Sequence, residues 1–429
     1  MSQRIRTTVL TIGENKGSPR IWHEGKWLEK ASFYRGTKIK VSYLERQIII
    51  DIDQEGDRIV SGKNYPLIDL NNKQITEVFD KEKQVRVIVN VGQIIITSTK
   101  KTLRKEQRLA NNTKTYGSVF SGVDLFGVAA EKAGYKNKWA IELNEKYADL
   151  WLANHNGTMH NLDVSEIDLS ELEQVELLIG GIPCEPFSIA RRNQGNKLYE
   201  EHQNADLSVF FLMIVEAINP KTIVLEEVPA YLKSGIGTAL ISALKRMGYY
   251  VETKLVSGTE YGELTVRRRA VIVASSLNAI DFPDQVESNR TMKEILLPYD
   301  DQECEWFTEQ TKPWIFKHWR EQKAKGNNFV SQFIKEDTKQ VQAITKRYFA
   351  GQGSNPVVKH PLKEDTFRWL TLNEVKKIMG LPDDFELGPS KTTAGEAMGQ
   401  GVLVNTFKKI IQAVTHQNDK TKWDEVSKP

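Results

Sequence analysis

Two regimes of hydrophobic patterning divide the chain. Over the first hundred residues the apolar positions come in short β-branched runs, Lys38–Tyr43 with Gln47–Ile52 and Gln84–Asn90 with Gln93–Ser98, and these predict strands. The runs also repeat. Gln47-Ile48-Ile49-Ile50 matches Gln93-Ile94-Ile95-Ile96 at an offset of 46; Val41 matches Val87 and Phe33 matches Phe79 at the same offset. Pro19 and Ile21 match Pro66 and Ile68 at 47, so one residue has slipped between. Each copy reads as a short strand, a polar or helical turn, and two further strands. One such unit has too few strands to bury a core, whereas two copies close a small all-β barrel on each other. The polar segment Lys100–Thr115 that follows reads as a linker.

From about Thr115 the period changes. The apolar run Ser118-Val119-Phe120 ends in Ser121-Gly122-Val123-Asp124, and an amphipathic segment, Leu125–Ala133, follows. Strands at Trp139–Glu142, Val175–Gly180, Thr222–Leu225, Tyr250–Val256 and Ala270–Ala274 then accompany helices at Glu145–Asn154, Leu207–Ile218 and Gly237–Met247. Strands alternating with helices imply an α/β fold with a mostly parallel, doubly wound sheet covered on both faces. In such sheets ligands lie outside the carboxyl ends of the strands.

Composition narrows the class. A chain of 429 residues with 40% hydrophobic residues has room for two or three domains with buried cores. No apolar run approaches the roughly 20 residues that cross a bilayer, and the first residues lack a signal-peptide pattern, so a cytoplasmic protein without a membrane partner is expected. Two cysteines, Cys184 and Cys304, cannot build a disulfide framework or a thiolate zinc site; no metal is expected. Charge is uneven. Residues 1–110 hold 21 Lys+Arg against 13 Asp+Glu, and residues 312–360 hold 10 against 3. The second stretch is interleaved with Trp314, Phe316, Trp319, Phe329, Phe333, Tyr348 and Phe349, a mixture that suits a polyanion with stackable bases and equally a solvated, snorkelling surface.

Candidate chemistry clusters where strands end. The turn from Phe120 to Gly127 lets a ligand approach backbone N–H groups. Glu142 ends the next strand, where a carboxylate can accept bonds from ribose hydroxyls, and Asp163 follows the next turn. Taken singly, either acid also reads as a surface or capping carboxylate; in series they read as a nucleoside-bearing cofactor site. Most informative is Gly180-Gly181-Ile182-Pro183-Cys184-Glu185-Pro186-Phe187-Ser188. A structural cysteine lies more often inside an apolar run. Cys184 instead sits just past a buried strand, in a loop stiffened by prolines, as suits a nucleophile.

At these residues the segment from about 117 to 415 resembles the cytosine-5 DNA methyltransferases. Phe120-Ser-Gly122 resembles the family's cofactor loop, Pro183-Cys184-Glu-Pro-Phe187-Ser188 its nucleophile loop, and Leu225-Glu226-Glu227-Val228-Pro229 its Glu-Asn-Val motif. Arg267-Arg268-Arg269 resembles the Arg-x-Arg strand motif. Arg368-Trp-Leu370-Thr371-Leu-Asn-Glu374 with Gly380-Leu-Pro382 resembles the segment behind the recognition domain, and Gly399-Gln400-Gly401-Val402 the closing motif. There are departures: Asp124 for a glycine, Glu185 for a glutamine, Glu227 for an asparagine, Thr265 for a glutamine, and Gln400-Gly401 for an asparagine and a small residue. They point to a divergent subfamily of phage or mobile-element type. The N-terminal repeat, through Pro19-Arg20-Ile21, Trp27-Leu28, Phe33, Gly36 and Val41, loosely resembles SymE-like and AbrB-like swapped-hairpin domains.

The resemblance implies a DNA (cytosine-5-)-methyltransferase acting on a flipped cytosine in double-stranded DNA with S-adenosylmethionine. Cys184 would be the nucleophile, Glu226 the acid at the ring nitrogen, and Arg267 and Arg269, alternating on one strand face, would hold the base and phosphate. Phe120, Gly122, Val123, Asp124, Leu125, Glu142, Leu143, Asp163, Val164, Pro183, Leu207, Gln400 and Val402 would line the cofactor site. The implied domains are 1–100 (β repeat), 101–115 (linker), 116–276 (catalytic), 277–360 (target recognition) and 361–429 (closing motifs and a C-terminal helix). Acting as a monomer on DNA, alone or beside a restriction endonuclease, is the expected mode. Two alternatives stay open: the same fold with altered chemistry or an RNA or modified-base substrate, and a silent DNA-binding regulator.

Overall fold

A computed structural model describes residues 3–183, 206–277, 280–326 and 331–414. The chain divides into two compact units, Met1–Gln107 and Arg108–Pro429. Among the described residues no helix is long and apolar enough to cross a membrane.

The first unit contains β1 (Arg4–Thr11), β2 (Gly13–Asn15), β3 (Ser18–Glu24), α1 (Trp27–Lys30), β4 (Lys38–Leu44), β5 (Gln47–Ile52), β6 (Arg58–Ile59), β7 (Leu67–Asn71), α2 (Gln74–Phe79), β8 (Gln84–Asn90) and β9 (Gln93–Ser98). The repeat is structural: β3-α1-β4-β5 is answered by β7-α2-β8-β9. The copies meet twice, β3 pairing antiparallel with β7, and β5 with β9 through Ile48↔Ile96 and Ile50↔Ile94. One six-stranded sheet, β1-β8-β9-β5-β4-β6, and one three-stranded sheet, β2-β3-β7, result. Equivalent positions fill one core: Phe33 with Phe79, Ile21 with Ile68, Ile48 with Ile94, Ile50 with Ile96. Each half thus supplies the apolar face that the other lacks. The polar segment expected to be a linker is largely helical, as α3 (Lys100–Ala110).

The second unit is built on β10 (Thr115–Val119), α4 (Leu125–Lys132), β11 (Lys136–Ile141), α5 (Glu145–Asn154), β12 (Thr158–His160), β13 (Leu177–Gly180), α6 (Leu207–Ile218), β14 (Thr222–Glu227), α7 (Gly235–Arg246), β15 (Tyr250–Ser257) and β16 (Arg268–Ser275). Its seven-stranded sheet has the order β12-β11-β10-β13-β14-β16-β15. The first five strands are parallel, and β16 runs antiparallel to both neighbours. Leu177 and Ile179 face one apolar layer while Leu178 faces the other, as alternation along a doubly covered strand requires. The chain direction across the sheet reverses between β10 and β13, which opens a crevice at their carboxyl ends.

Beyond the sheet lie α8 (Pro313–Ala324), β17 (Phe333–Ile334), β18 (Val357–Lys359), β19 (Phe367–Arg368), α9 (Leu372–Met379), α10 (Lys391–Gln400) and a helix through 404–414. The last three strands form a small sheet, β17-β18-β19. Here the structure corrects the view of the aromatic residues as a base-stacking surface. Phe316 and Trp319 pack with Phe307 and Phe367 in a local core, and Tyr348 is fully buried. Trp314 and Phe333 remain about half exposed.

Candidate active site

The carboxyl ends of β10, β11, β13 and β14 bring the candidate residues together. Past β10 the backbone takes positive φ at Phe120 (57°), Gly122 (57°) and Asp124 (61°), turning the chain sharply into α4. A side chain at Gly122 would meet nothing within 4 Å, so this turn borders open space. Glu142, one residue past β11, backs that space: its Oε2 accepts the Gly122 N–H at 2.7 Å and its Oε1 the Asn144 N–H at 2.8 Å. Burial raises its pKa. A carboxylate has about four acceptor positions, so two such bonds leave capacity for ribose hydroxyls. Leu143 beside it is 67% exposed. Asp163 caps the following turn, its Oδ1 taking both the N–H (2.9 Å) and the hydroxyl (2.8 Å) of Ser165, bonds that lower its pKa. Val164 is buried beside it.

Asp124 holds the turn from inside. Its side chain turns inward, 1% exposed, and accepts from Gly127 N–H (2.7 Å), the Ser118 hydroxyl (3.0 Å) and the Trp151 indole (3.3 Å). It is a left-handed N-cap for α4, a conformation that aspartate tolerates better than most residues. Burial raises its pKa. His155 stacks on Trp151, and its Nδ1 lies 3.0 Å from Glu131. Burial opposes its charge, but the Glu131 bond and the nearby carboxylates outweigh this and raise its pKa. Ser118, Trp151 and His155 carried no signal in the sequence beyond their apolar surroundings. Val123 and Leu125 are buried in the same wall.

Pro183 is the last described residue after β13, and Leu207, half-buried, opens α6; Cys184, Glu185 and the rest of the loop expected to carry the nucleophile lie outside the described residues. At the end of β14, Glu226 ion-pairs with the Nε of Arg269 on β16. Its Oε2 would stand 3.5 Å from a Cβ on Gly181, the residue after β13. Glu226 is thus held at the root of the Pro183 segment.

The two arginines, Arg269 on β16 and Arg267 just before it, make different contacts. Arg269 reaches Glu226. Arg267 is 4% exposed and donates to the Gly399 carbonyl (2.9 Å), the Gln400 carbonyl (3.2 Å) and the Ile344 carbonyl (3.5 Å). It fastens the closing turn from inside. Both arginines line one small cleft with Val256, Gly258, Val402 and Phe407. The closing turn is packed as tightly as its glycines imply: a Cβ on Gly399 would lie 2.2 Å from the Lys346 nitrogen, and one on Gly401 2.7 Å from Leu125. Gly401 therefore seats the turn directly on the first loop. Gln400 contributes its backbone carbonyl here, its side chain being exposed.

Comparison with known proteins agrees with this architecture. Residues 115–416 match the model of the C-5 cytosine-specific DNA methylases. The chain is 25% identical over 383 residues to the type II methyltransferase M.BsuFI of Bacillus subtilis, covering 85% of this chain and 88% of that protein. It is 23% identical over 407 residues to M1.ScrFI of Lactococcus lactis subsp. cremoris, covering 90% and 98%. Among solved structures, the Entamoeba histolytica methyltransferase EhMeth superposes with a TM-score of 0.58 at 17% identity, over 73% of this chain and 99% of that one. The family match spans most of the chain, strand ends and closing turn included: the protein belongs to the C-5 cytosine-specific DNA methylases and is a DNA (cytosine-5-)-methyltransferase.

Proposed function

We propose that the protein transfers a methyl group from S-adenosylmethionine to carbon 5 of a cytosine flipped out of duplex DNA, through a covalent bond between Cys184 and carbon 6. The observation that carries this reading is the placement of Glu226: a carboxyl group at the end of β14, clamped by Arg269 and set against Gly181, three residues before the cysteine.

Carbon 5 of cytosine is a poor nucleophile. A thiolate adding to carbon 6 makes the ring enamine-like and divides one hard step into easier ones; once carbon 5 carries the methyl group its proton leaves, the carbon 6–sulfur bond breaks and the thiolate is regenerated. The addition drives charge toward the ring N3, where the Glu226 carboxyl, having taken up a proton as the base enters, would donate it, and Arg269 would orient that carboxyl and steady the charge that develops. The open shelf between Gly122, Glu142 and Leu143 fits a nucleoside, with Glu142 on its ribose, Phe120 and Leu143 flanking its base, and Asp163 nearby. Pro183, Leu207 and the Gln400–Val402 turn would close the shelf. S-adenosylmethionine supplies an electrophilic methyl group when bound there. A base inside a stacked duplex must be extruded to reach such a pocket, and the region 277–360 would hold the opened duplex through phosphate contacts. The N-terminal repeat, in this reading, is an AbrB-like accessory module.

The test is methyl transfer from labelled S-adenosylmethionine to mixed-sequence duplex. Label on cytosine carbon 5, lost by about a thousandfold or more in Cys184→Ser, is the expected result. Undiminished labelling by that variant would refute the covalent mechanism.

A further inference from the structure

Strand β14 ends in two consecutive carboxyl groups, and neighbours on a strand face opposite ways. Glu226 emerges toward Gly181 and Arg269. Glu227 turns inward and is 1% exposed. Its Oε2 accepts the Val228 N–H at 3.3 Å, the Ile182 N–H lies against the same carboxyl group, and its Oε1 is buried with no hydrogen-bond partner. Tyr231, on the turn after β14, approaches it while sharing its hydroxyl with Ser208 of α6 at 2.8 Å.

Among the described residues, the titratable and charged groups facing Glu227 are Glu226, Arg269 and Tyr231. Arg269 is already paired with Glu226. Among these groups a second carboxylate would have no cation of its own and would stand beside a like charge, a combination that drives a buried acid toward its neutral form. Burial, and after it the Glu226 charge, accordingly push the Glu227 pKa well above the usual carboxyl range.

We propose that Glu227 is a positioning residue that works as an uncharged acid, seating the Ile182-Pro183 root of the nucleophile-bearing segment against Glu226, and that its ionisation sets an alkaline limit on methyl transfer. The proposal rests on the catalytic reading of Glu226 and Cys184 above. In its neutral form the carboxyl accepts from the Ile182 and Val228 amides without competing for Arg269. Once ionised, it repels the Glu226 carboxylate, draws on the Arg269 guanidinium and calls for water in a closed site. Glu226 then loses its place beside the Ile182-Pro183 root.

The experiment compares the native protein with Glu227→Gln, which is permanently neutral, in kcat and KM across pH. The ratio of the Glu227→Gln kcat to the native kcat cancels the titrations of groups that Glu227 does not touch. We expect this ratio to rise with pH, by about fivefold or more at the alkaline end of the range in which both proteins stay folded, with KM for DNA moving less than about twofold. A ratio that stays flat overturns the proposal. So does a Glu227→Gln protein that fails to fold, because an amide is the nearest neutral stand-in. Thermal unfolding provides a readout independent of methylation. A raised carboxyl pKa in the folded state means that stability falls as pH rises from the ordinary carboxyl range through the raised value, and Glu227→Gln should flatten that fall. If the native protein transfers no methyl group at all, the catalytic reading fails, and the unfolding profiles still report whether Glu227 is neutral.

Discussion

The unit of residues 3–107 and the seven-stranded unit after it bury their cores by different means, and the difference shows where chemistry can reside. In the first unit the repeated positions are core: Phe33 and Phe79, Ile21 and Ile68, and the isoleucines of β5 and β9 all point inward. The repeat exists because neither copy can cover its own apolar face. In the second unit the strands are just as apolar, but at or just past their ends stand glycines, acids and a proline, as in Gly122, Glu142, Gly181, Pro183 and Glu226. These positions add nothing to a core. They gather at one edge of the sheet because five parallel strands all end there. A repeated apolar pattern therefore marks architecture, and polar residues at the ends of parallel strands mark a site.

The comparison can be broken most readily at the strand ends. Removing the Arg269 side chain should leave Glu226 unheld and lower kcat by about a hundredfold, with the melting temperature little changed. Arg267→Ala should do the reverse. Its guanidinium holds three backbone carbonyls, so about 2–4 kcal/mol of stability should be lost and KM for the cofactor should rise as the closing turn loosens from Leu125. Steady-state kinetics with thermal unfolding separate the two. Equal losses of kcat would show that both arginines meet the substrate. The smallest effect on chemistry is expected in the first unit. Ile96→Ala removes a fully buried side chain that pairs with Ile48 and should cost about 2–5 kcal/mol, while methyl transfer below the unfolding transition persists. A proportionate loss of kcat in the folded protein would place part of the site in the repeat.

Much of this was legible beforehand for a physical reason: strands, helices and glycine turns declare themselves locally. The runs over Gln47–Ile52, Gln84–Asn90 and Gln93–Ser98, and the helices at Glu145–Asn154 and Leu207–Ile218, form as their periodicity predicts. What was not legible depends on distant partners. Nothing near Arg267 reveals that its acceptors lie at Ile344, Gly399 and Gln400. Asp124 stands where the family has a glycine, and only the arrival of Trp151 and Ser118 shows that its side chain is an internal cap. Phe316 and Trp319 suggested stacked bases because their core partners, Phe307 and Phe367, lie on other elements. The helix at Lys100–Ala110 was hidden by its charge, and β12, with three residues, is too short to show a period.

The central claim is that the end of β13 delivers a nucleophile to a cytosine ring beside Glu226. The most direct test is a duplex carrying 5-fluorocytosine, incubated with the protein and S-adenosylmethionine and resolved under denaturing conditions. Fluorine at carbon 5 cannot leave as a proton does, so the adduct that forms should persist. The account predicts a protein–DNA species of combined mass with the native chain and none with Cys184→Ser. A duplex methylated at ordinary cytosine without any trapped species at the fluorinated base, or an adduct that survives the loss of Cys184, would contradict it.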